Sequence, residues 1–397
     1  DKMGKNIKEN IRLAIIIVMS MIIGSVFTMF IKGNNNSVNY SYSSKDRKEF
    51  NSLYETYDTI MKDYYKSVDS NTLIEGAING MLGSLDDEHT MYFDKKSKEA
   101  FDAELSGNYY GIGAQIQLTG EGTIRITKVF NDSPAEKAGL KAEDVFVSVD
   151  GVSVEGKSAT EVANMLKSST VKTSKIVIKR DGNEISFDVT KENITLFSVS
   201  SEMLKNNNKN IGYLSVSIFG QKTYSQFKDA LLKLESQDMD SLIIDLRGNT
   251  GGYLYTVTNM LEEFVGKDNI MYQIQSSSGV KKYKSSKETS RKYKIVILVD
   301  ENSASASEIM AASMKENYGA VLVGKTTYGK GTVQTTKDLS NGSMIKYTIE
   351  KWLTPNGKNI DKEGITPDYD VNIGDSYSNS PTKENDMQLK KALDLLK

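Results

Sequence analysis

The spacing of the apolar residues changes twice along this chain, and each change predicts a different kind of structure. From about residue 47 to 105 they recur at every third or fourth position, as in amphipathic helices. From 106 to 190 they alternate with polar residues, as in half-buried strands. From 191 to 375 strand-like runs alternate with helical stretches, which favours a mixed sheet with helices on its faces. The chain is therefore predicted to be a multidomain α+β protein.

These runs also give approximate bounds for the elements. Residues 106–190 predict a small β-barrel interrupted by one helix, and Ser70 is the expected N-terminal cap of the second N-terminal helix. Residues 276–293 are polar and rich in lysine, so we expect a solvated loop there rather than a nucleic-acid patch. The predicted strands cover 211–219, 242–246, 295–299 and 321–323, and the predicted helices cover 50–65, 73–85, 224–235, 255–265, 305–317 and 387–396.

The N-terminal segment, residues 1–32, predicts a membrane anchor. Leu13 to Ile31 carries no charge over 19 residues, which is long enough to cross a bilayer as a helix. Basic residues precede this run, so the positive-inside rule places the N-terminus in the cytoplasm and the rest of the chain outside. A cleaved signal peptide is the alternative, but the run is long for one and lacks an A-x-A site. We expect an uncleaved single-pass anchor in the cell membrane, followed by a polar linker over 33–46.

Composition excludes several classes of chemistry. The chain has 397 residues, enough for two or three domains, and a net charge of -2 that indicates no bias toward nucleic acid. It has no cysteine, so disulfides, thiolate metal sites and cysteine nucleophiles are excluded. His89 is the single histidine, which excludes a histidine-rich metal centre. We expect no metal and no organic cofactor, and we interpret His89 as structural rather than as a catalytic base.

A cluster of serines and a lysine between two glycines suggest serine chemistry with a lysine base. Ser303, Ser305 and Ser307 lie in S-A-S-A-S-E after a strand-like run, and Lys330 follows in G-K-G. A hydroxyl attacks only when a base removes its proton, and burial can make a lysine neutral enough to do this. The alternative is structural, because Ser305 and Glu308 also fit the S-x-x-E capping box of a helix. The residues alone leave all three serines open as nucleophile.

Five further motifs accompany this pair, and together they resemble the carboxyl-terminal processing proteases, also called tail-specific proteases. The resemblance covers nearly all of the chain beyond the predicted anchor. Each motif is weak alone, and their order and spacing make the match specific. The motifs are GMLGSLDDEHT (80–90), YGIG (110–113), DSPAEKAGL (132–140), DLRGNTGG (245–252) and GITPD (364–368), around SASASE (303–308) and YGKGTVQ (328–334).

This resemblance implies a serine endopeptidase that cleaves proteins recognised by their C-terminal tails. It implies an N-terminal helical region, a PDZ β-barrel, and a mixed α/β protease core with the layering of the crotonase and Clp-protease folds. We therefore expect the following organisation: anchor 1–32, linker 33–46, helical region 47–105, PDZ domain 106–190, protease core 191–375 and C-terminal helix 376–397.

The resemblance also assigns roles at the site. It selects Ser305 as the nucleophile and Lys330 as the base, with Gln334 as the amide that holds the amine in position. The backbone N–H groups of Ala306 and Gly251 are the expected oxyanion hole for the developing charge. Asp245 with Arg247 is interpreted as a structural ion pair. A Gly-Gly turn and a surface glutamine remain the structural alternatives for Gly251 and Gln334.

In the PDZ domain, loop amides of this family capture a terminal carboxylate while the peptide pairs with the adjacent strand. Val162 and Leu166 are expected to line the pocket for an apolar last side chain. The expected partners are proteins with apolar C-terminal tails and the membrane; the amphipathic terminal helices are compatible with a homodimer, a regulatory protein or a monomer. The expected peptide-binding loop is Tyr110, Gly111, Ile112, Gly113 and Ala114.

The chain departs from the family pattern at a few positions. Glu88 and Thr250 stand where proline is usual or common, and Lys167-Ser168 stands where many members carry Arg-Gly. That last change leaves open any PDZ-to-protease contact made by the arginine. Two other functions fit parts of the sequence: a catalytically idle scaffold that binds tails, and a crotonase-like acyl-transfer enzyme. The intact Ser305–Lys330 pair disfavours the first, and the PDZ insertion disfavours the second.

Overall fold

The computed structural model describes residues 44–130, 132–167, 172–379 and 382–397. The contacts divide the chain into two compact units, one formed by residues up to 105 together with 198–397, the other by 106–197. Within the described ranges, no helix is long and apolar enough to cross a membrane. The predicted anchor at Leu13–Ile31 and nearly all of the polar linker lie outside the described residues.

The first unit begins with the predicted helical region. Its elements are α1 (Ser44–Asp63), α2 (Ser70–Gly83), β1 (Met91–Phe93) and α3 (Lys95–Ser106). The cap of α2 is Asp69, whose side chain accepts a hydrogen bond from Thr72 N–H, so the prediction of Ser70 was wrong by one residue. A carboxylate there also suits the positive end of the helix.

The second unit alternates buried and exposed side chains as the sequence predicts; in the strand Thr173–Arg180, Ser174, Ile176 and Ile178 are buried. A five-strand antiparallel path joins Ala114–Leu118, Ile124–Val129, Val145–Val149, Thr173–Arg180 and Asn183–Thr190 in that order. Val152–Ser153 pairs with Val145–Val149, and Asn108–Gly111 pairs separately with Glu192–Thr195. Two helices are present instead of the one predicted, because Ser133 caps a short extra helix with Pro134 in its first turn. The elements are β2 (Asn108–Gly111), β3 (Ala114–Leu118), β4 (Ile124–Val129), α4 (Pro134–Ala138), β5 (Val145–Val149), β6 (Val152–Ser153), α5 (Ala159–Lys167), β7 (Thr173–Arg180), β8 (Asn183–Thr190) and β9 (Glu192–Thr195).

The rest of the first unit alternates strands and helices, as predicted. The helix predicted to run from Ser305 is shorter than expected and continues as a π-helix, Met314–Tyr318. The remaining elements are β10 (Val199–Asn206), β11 (Lys209–Val216), α6 (Thr223–Glu235), β12 (Ser241–Asp245), α7 (Leu254–Leu261), β13 (Ile270–Ser276), β14 (Gly279–Lys284), β15 (Lys294–Val299), α8 (Ala306–Ser313), β16 (Val321–Gly324), β17 (Thr332–Asp338), β18 (Met344–Leu353), β19 (Tyr369–Asp370), α9 (Asp375–Asn379) and α10 (Met387–Leu395).

Two sheets carry this unit. The larger runs β10-β11-β12-β15-β16-β19 and is parallel except for β10. Its central strand β12 is buried along its whole length, because α6, α7 and α8 share the core on one face and α10 packs on the other. Catalytic and binding residues in such sheets lie beyond the carboxyl ends of the strands. The loops that follow β12 and β15 at this edge carry Gly251 and Ser305.

The smaller sheet is antiparallel and includes both the N-terminal region and the lysine segment. Its path is β1-β18-β13-β14, with β17 also paired to β18. The prediction of a solvated loop over 276–293 was wrong in part, because β14 forms within it as an exposed edge strand. Beyond β14, Arg291 forms ion pairs with Glu235 and Glu263.

Candidate active site

The three candidate serines differ in what their hydroxyl groups bind. Ser303 Oγ donates to the Leu246 carbonyl at 2.9 Å, and Ser307 Oγ donates to the Asn249 carbonyl at 2.7 Å. Ser305 Oγ is buried, and it has no hydrogen-bond partner among the described residues. Buried hydroxyls without a partner are uncommon because desolvation is not compensated. The structure therefore leaves Ser305 as the serine with an unengaged hydroxyl.

The backbone of Ser305 is held in an unusual conformation. The residue precedes the first turn of α8 with φ 55° and ψ −113°, outside the regions that non-glycine residues ordinarily occupy. Backbone strain of this kind persists only where the surrounding structure imposes it, and it is concentrated at functional sites. The turn thus presents the hydroxyl at the N-terminus of a helix, where negative charge is favoured.

The Glu308 carboxylate connects the Ser305 turn to the Lys330 loop. One oxygen, Oε2, accepts from Ser305 N–H at 2.8 Å and from Lys330 N–H at 2.9 Å, and the other, Oε1, accepts from Gly329 N–H at 2.7 Å. Thr327 Oγ1 also donates to Oε1. Burial raises the pKa of this carboxyl, while these hydrogen bonds oppose the rise. The S-x-x-E spacing indicated the contact to Ser305, but not the contacts to the lysine loop.

Lys330 is buried, with 1% of its surface exposed, in a loop that admits little besides glycine on either side. A Cβ on Gly329 would lie 2.9 Å from Gly364 N, and one on Gly331 would lie 2.7 Å from Asp361 Cβ. The Trp352 indole donates to the Lys330 carbonyl at 2.7 Å. Burial, with a further contribution from the charge of Lys346, holds the pKa of the Lys330 amine well below its usual range.

Gln334 is fully buried at a β-bulge in β17, opposite Thr348 of β18. Its Nε2 group donates to Thr332 Oγ1 at 2.8 Å and to Thr348 Oγ1 at 3.1 Å. Its Oε1 atom finds no hydrogen-bond partner in the part of the chain that the structure describes. The two threonines fix the amide orientation and leave its oxygen as a buried acceptor.

Gly251 lies directly against the Ser305 turn. A Cβ at Gly251 would be 2.9 Å from Ser305 Cβ, 2.9 Å from the Ala304 carbonyl oxygen and 3.2 Å from Ala306 N, and φ is 111°. The structure thus brings Gly251 and Ala306 together beside Ser305. The Gly251 N–H, however, donates to Asn249 Oδ1 at 2.9 Å. Asn249, which the sequence reasoning missed, therefore engages the group expected to stabilise an oxyanion.

The N-terminal motif reaches this site through Asp87, His89 and Thr90. Asp87 accepts from His89 N–H and from Thr90 Oγ1, and Thr90 Oγ1 accepts from Thr348 N–H at 3.2 Å. The side chain of His89 is 15% exposed. Burial is the main cause that lowers the pKa of His89 to about 4, so the imidazole is neutral near pH 7. These contacts give the motif a structural connection to the strand that orients Gln334.

The predicted structural ion pair lies in the first unit, and the predicted peptide-binding residues lie in the second. Arg247 forms ion pairs with Asp245 at 2.6 Å and with Asp386 at 2.8 Å, which agrees with the structural interpretation of the pair. In the second unit Ile112, Val162 and Leu166 pack together in one buried apolar cluster. Most of the segment that was predicted as a carboxylate-binding loop lies in strands. Tyr110 and Gly111 belong to β2 and pair with β9, and Ala114 begins β3. Gly113 lies against Ser133, whose Cβ would be 2.2 Å from an added Cβ.

Three family models match the chain. Peptidase family S41 matches residues 210–371, a PDZ domain matches 125–180, and the N-terminal domain of the activating protease CtpB matches 23–97. The carboxy-terminal processing protease CtpA of Bacillus subtilis is 35% identical over 385 residues, covering 96% of this chain and 82% of that relative. CtpB of the same organism is 38% identical over 353 residues, covering 88% and 72% respectively.

A solved structure agrees on the fold. The crystal structure of a Bacteroides fragilis protein assigned to the S41 proteases superposes with a TM-score of 0.53 at 16% identity, covering 86% of this chain and 96% of that one. The arrangement of a PDZ domain and a mixed α/β core with a serine at a helix N-terminus is that of a multidomain serine peptidase. The chain belongs to the carboxy-terminal processing proteases of peptidase family S41.

Proposed function

We propose that this chain is a membrane-anchored, extracytoplasmic serine endopeptidase that uses a Ser305–Lys330 dyad and selects proteins by their C-terminal tails. The observation that carries the dyad is the state of the two side chains. The Ser305 hydroxyl is buried and unengaged within the described structure, and the Lys330 amine is buried with a depressed pKa. Glu308 holds both backbones through one carboxylate oxygen.

In this mechanism the Ser305 hydroxyl oxygen attacks the scissile carbonyl carbon while its proton moves to the Lys330 amine. The ammonium then protonates the leaving amine, and an ester between Ser305 and the substrate acyl group remains. Lys330, neutral again, removes a proton from water, which attacks the ester and releases Ser305 and the carboxylate product. Gln334 Oε1, which has no partner among the described residues, is the acceptor that would restrain the amine once Lys330 donates to it.

The charge that develops on the carbonyl oxygen needs donors beside Ser305. Ala306 N–H lies at the first turn of α8, and Gly251 lies against Ser305. Since the Gly251 N–H is bonded to Asn249 Oδ1, its use as a donor requires that the bond to Asn249 open when substrate binds. The conformation with this bond closed is then a resting one.

Tail recognition is proposed for the second unit. The short loop Tyr110–Ala114 supplies backbone amides for a terminal carboxylate, and the cluster of Ile112, Val162 and Leu166 gives apolar surroundings for the last side chain. The match of a PDZ domain to residues 125–180 supports this assignment. The uncharged run Leu13–Ile31 supports the anchor and the extracytoplasmic location. We further propose that the two-sheet core has the layering of the crotonase and Clp-protease folds, with the PDZ unit as a barrel.

The test is degradation of an unstructured protein offered with either an apolar or an acidic C-terminal tail. We expect wild type to degrade the apolar-tailed form faster and Ser305→Ala to degrade neither. Ser303→Ala and Ser307→Ala are the matched controls and should retain turnover, because their hydroxyls serve structural hydrogen bonds. Equal degradation by wild type and Ser305→Ala would show that Ser305 is not the nucleophile. Equal degradation of the apolar-tailed and acidic-tailed forms by wild type would contradict tail selection alone.

A further inference from the structure

A second lysine is buried beside the proposed dyad. Lys346 has 0% of its surface exposed and, with Lys330, is among the largest fully buried side chains of the described chain. Lysines are rarely buried to this degree, because the desolvation of an ammonium group is costly. Two in one site are harder to accommodate still, since each disfavours the charged form of the other. The mechanism proposed above gives Lys346 no role.

The strand register places Lys346 next to the residues that orient Gln334. On β18 it pairs with Thr336 of β17 and with Met91 of β1, so both of its flanks are covered. Thr348, two residues further and therefore on the same face, accepts from Gln334 Nε2. The Lys346 amine lies 5.7 Å from the centre of the Phe93 ring, a contact that favours a positive charge. The backbone of β18 is therefore paired on both sides at Lys346, and its side chain approaches the Phe93 ring of β1.

We propose that Lys346 is a positioning residue of this site that acts through its charge: its ammonium group keeps the Lys330 amine unprotonated and available as the base. Asp87, which precedes β1, is the acidic counterpart that keeps Lys346 charged. In this arrangement Lys346 stays positively charged and Lys330 stays neutral. This inference rests on the proposed Ser305–Lys330 mechanism.

The charges of the surrounding groups agree with a positively charged Lys346 and a neutral Lys330. Burial lowers the pKa of Lys346 to about 8, against an opposing contribution from Asp87, so Lys346 is charged at pH 7. Lys330 faces Glu308 from α8, Asp87 and Glu88 from the segment before β1, and Lys346 from β18. The three carboxylates favour the charged form of Lys330, and among these groups Lys346 opposes them. His89 is neutral at this pH and adds little charge.

The test is the pH dependence of kcat/KM for degradation of an unstructured protein with an apolar tail, measured with the full chain. The acidic limb reports the protonation of Lys330, because only the neutral amine can act as base. Lys346→Met removes the charge at similar side-chain length, so the limb should move to higher pH by about one unit or more. Turnover one unit below the new midpoint then falls about tenfold, while the alkaline plateau is retained.

Three variants separate this effect from simple damage to the fold. Lys346→Arg keeps the charge and should keep the limb in place. Lys346→Gln removes the charge but keeps a polar side chain, and it should move the limb in the same direction as Lys346→Met. Lys337→Met is the matched control, because Lys337 is exposed and pairs with Ile345, adjacent to Lys346 along the same hairpin; its limb should be unchanged. The melting temperature of each variant is recorded alongside.

The outcomes are distinct. A folded Lys346→Met with an unmoved limb overturns the inference, and so does a limb that Lys346→Arg moves as far as methionine does. If Lys346→Met does not fold, Lys346→Gln decides: a shift to higher pH supports the inference, and no shift or the opposite shift overturns it. Ser305→Ala and Lys330→Ala are run in parallel. If they retain activity, the proposed dyad itself is wrong; if they are inactive, a negative result for Lys346 concerns Lys346 alone.

Discussion

The Glu308 carboxylate and the Lys330 backbone N–H are joined by a hydrogen bond of 2.9 Å that spans 22 residues of sequence. The same oxygen also holds Ser305 N–H. A single buried side chain therefore fixes the relative positions of the Ser305 turn and the Lys330 loop. Because both contacts are to backbone, they constrain the Ser305 and Lys330 main chains rather than the reacting atoms.

Replacing Glu308 should consequently reduce turnover more than it reduces substrate binding. Glu308→Gln keeps one acceptor oxygen but replaces the other by a donor, which then faces backbone N–H groups. We expect kcat to fall roughly 10- to 100-fold and the free energy of unfolding to fall by about 1–3 kcal/mol. Steady-state kinetics and chemical denaturation measure both. Glu301→Gln, an exposed change in the preceding turn, is the control and should alter neither.

Gly251→Ala should abolish activity while a neighbouring glycine tolerates the same change. The added methyl would lie 2.9 Å from Ser305 Cβ and from the Ala304 carbonyl oxygen, so the Ser305 turn must move. We expect at least about a 100-fold loss in kcat/KM, since small displacements at a reacting centre are costly. Gly248→Ala is the matched control: it also has positive φ, yet open space surrounds its Cβ position. Comparable losses in the two variants would contradict this account.

Lys330→Met should inactivate the protein and also stabilise it. Burial depresses the pKa of Lys330 in the folded chain, so the folded chain holds this proton less strongly than the unfolded chain does. Folding therefore releases a proton at this residue, and its stability contribution grows more unfavourable as pH falls toward the folded pKa. A methionine of similar size removes this cost, for which we expect an increase of about 1–2 kcal/mol in the free energy of unfolding. Denaturation at pH 7 and pH 10 should show the gain shrinking at the higher pH.

Gln334→Glu should move the acidic limb of the activity profile to higher pH. A carboxylate at this buried position would favour the ammonium form of Lys330 and raise its pKa. At pH 7 we expect a loss of roughly tenfold or more that recovers as the pH is raised. Gln334→Met distinguishes charge from orientation, since it should lower the plateau without moving the limb. A Gln334→Glu profile that keeps the wild-type midpoint would show that residue 334 does not act on Lys330.

The architecture was accessible from the sequence because strong periodic signals indicate it, and the candidate pair could be named there because the available chemistry is restricted. The central strands are buried and apolar, and a chain with one histidine and no cysteine offers few pairs of nucleophile and base. Strand β14 was missed because it lies at the edge of its sheet, where its lysines face solvent and no apolar alternation is required. The sequence of such a charged edge strand therefore resembles that of a loop.

The contacts that complete the site could not be read from the sequence. Asn249 engages the Gly251 amide through a local turn after β12, and neither its residue type nor its spacing indicates that hydrogen bond. In the sequence Lys346 looks like any other strand lysine. The structure differs because β1 and β17 pair with β18 on both sides of it. Such residues gain their properties from burial by elements distant in sequence, and composition and spacing do not encode that burial.

The pairing of β1 with residues 344–346 of β18 has a practical consequence for shortened forms of the protein. A chain beginning after residue 105 would lose this strand and leave the N–H and C=O groups along that stretch of β18 without partners. Exposed strand edges of this kind add strands from other molecules. A truncated protease core is therefore expected to self-associate along β18, and it would also expose Lys346 to water.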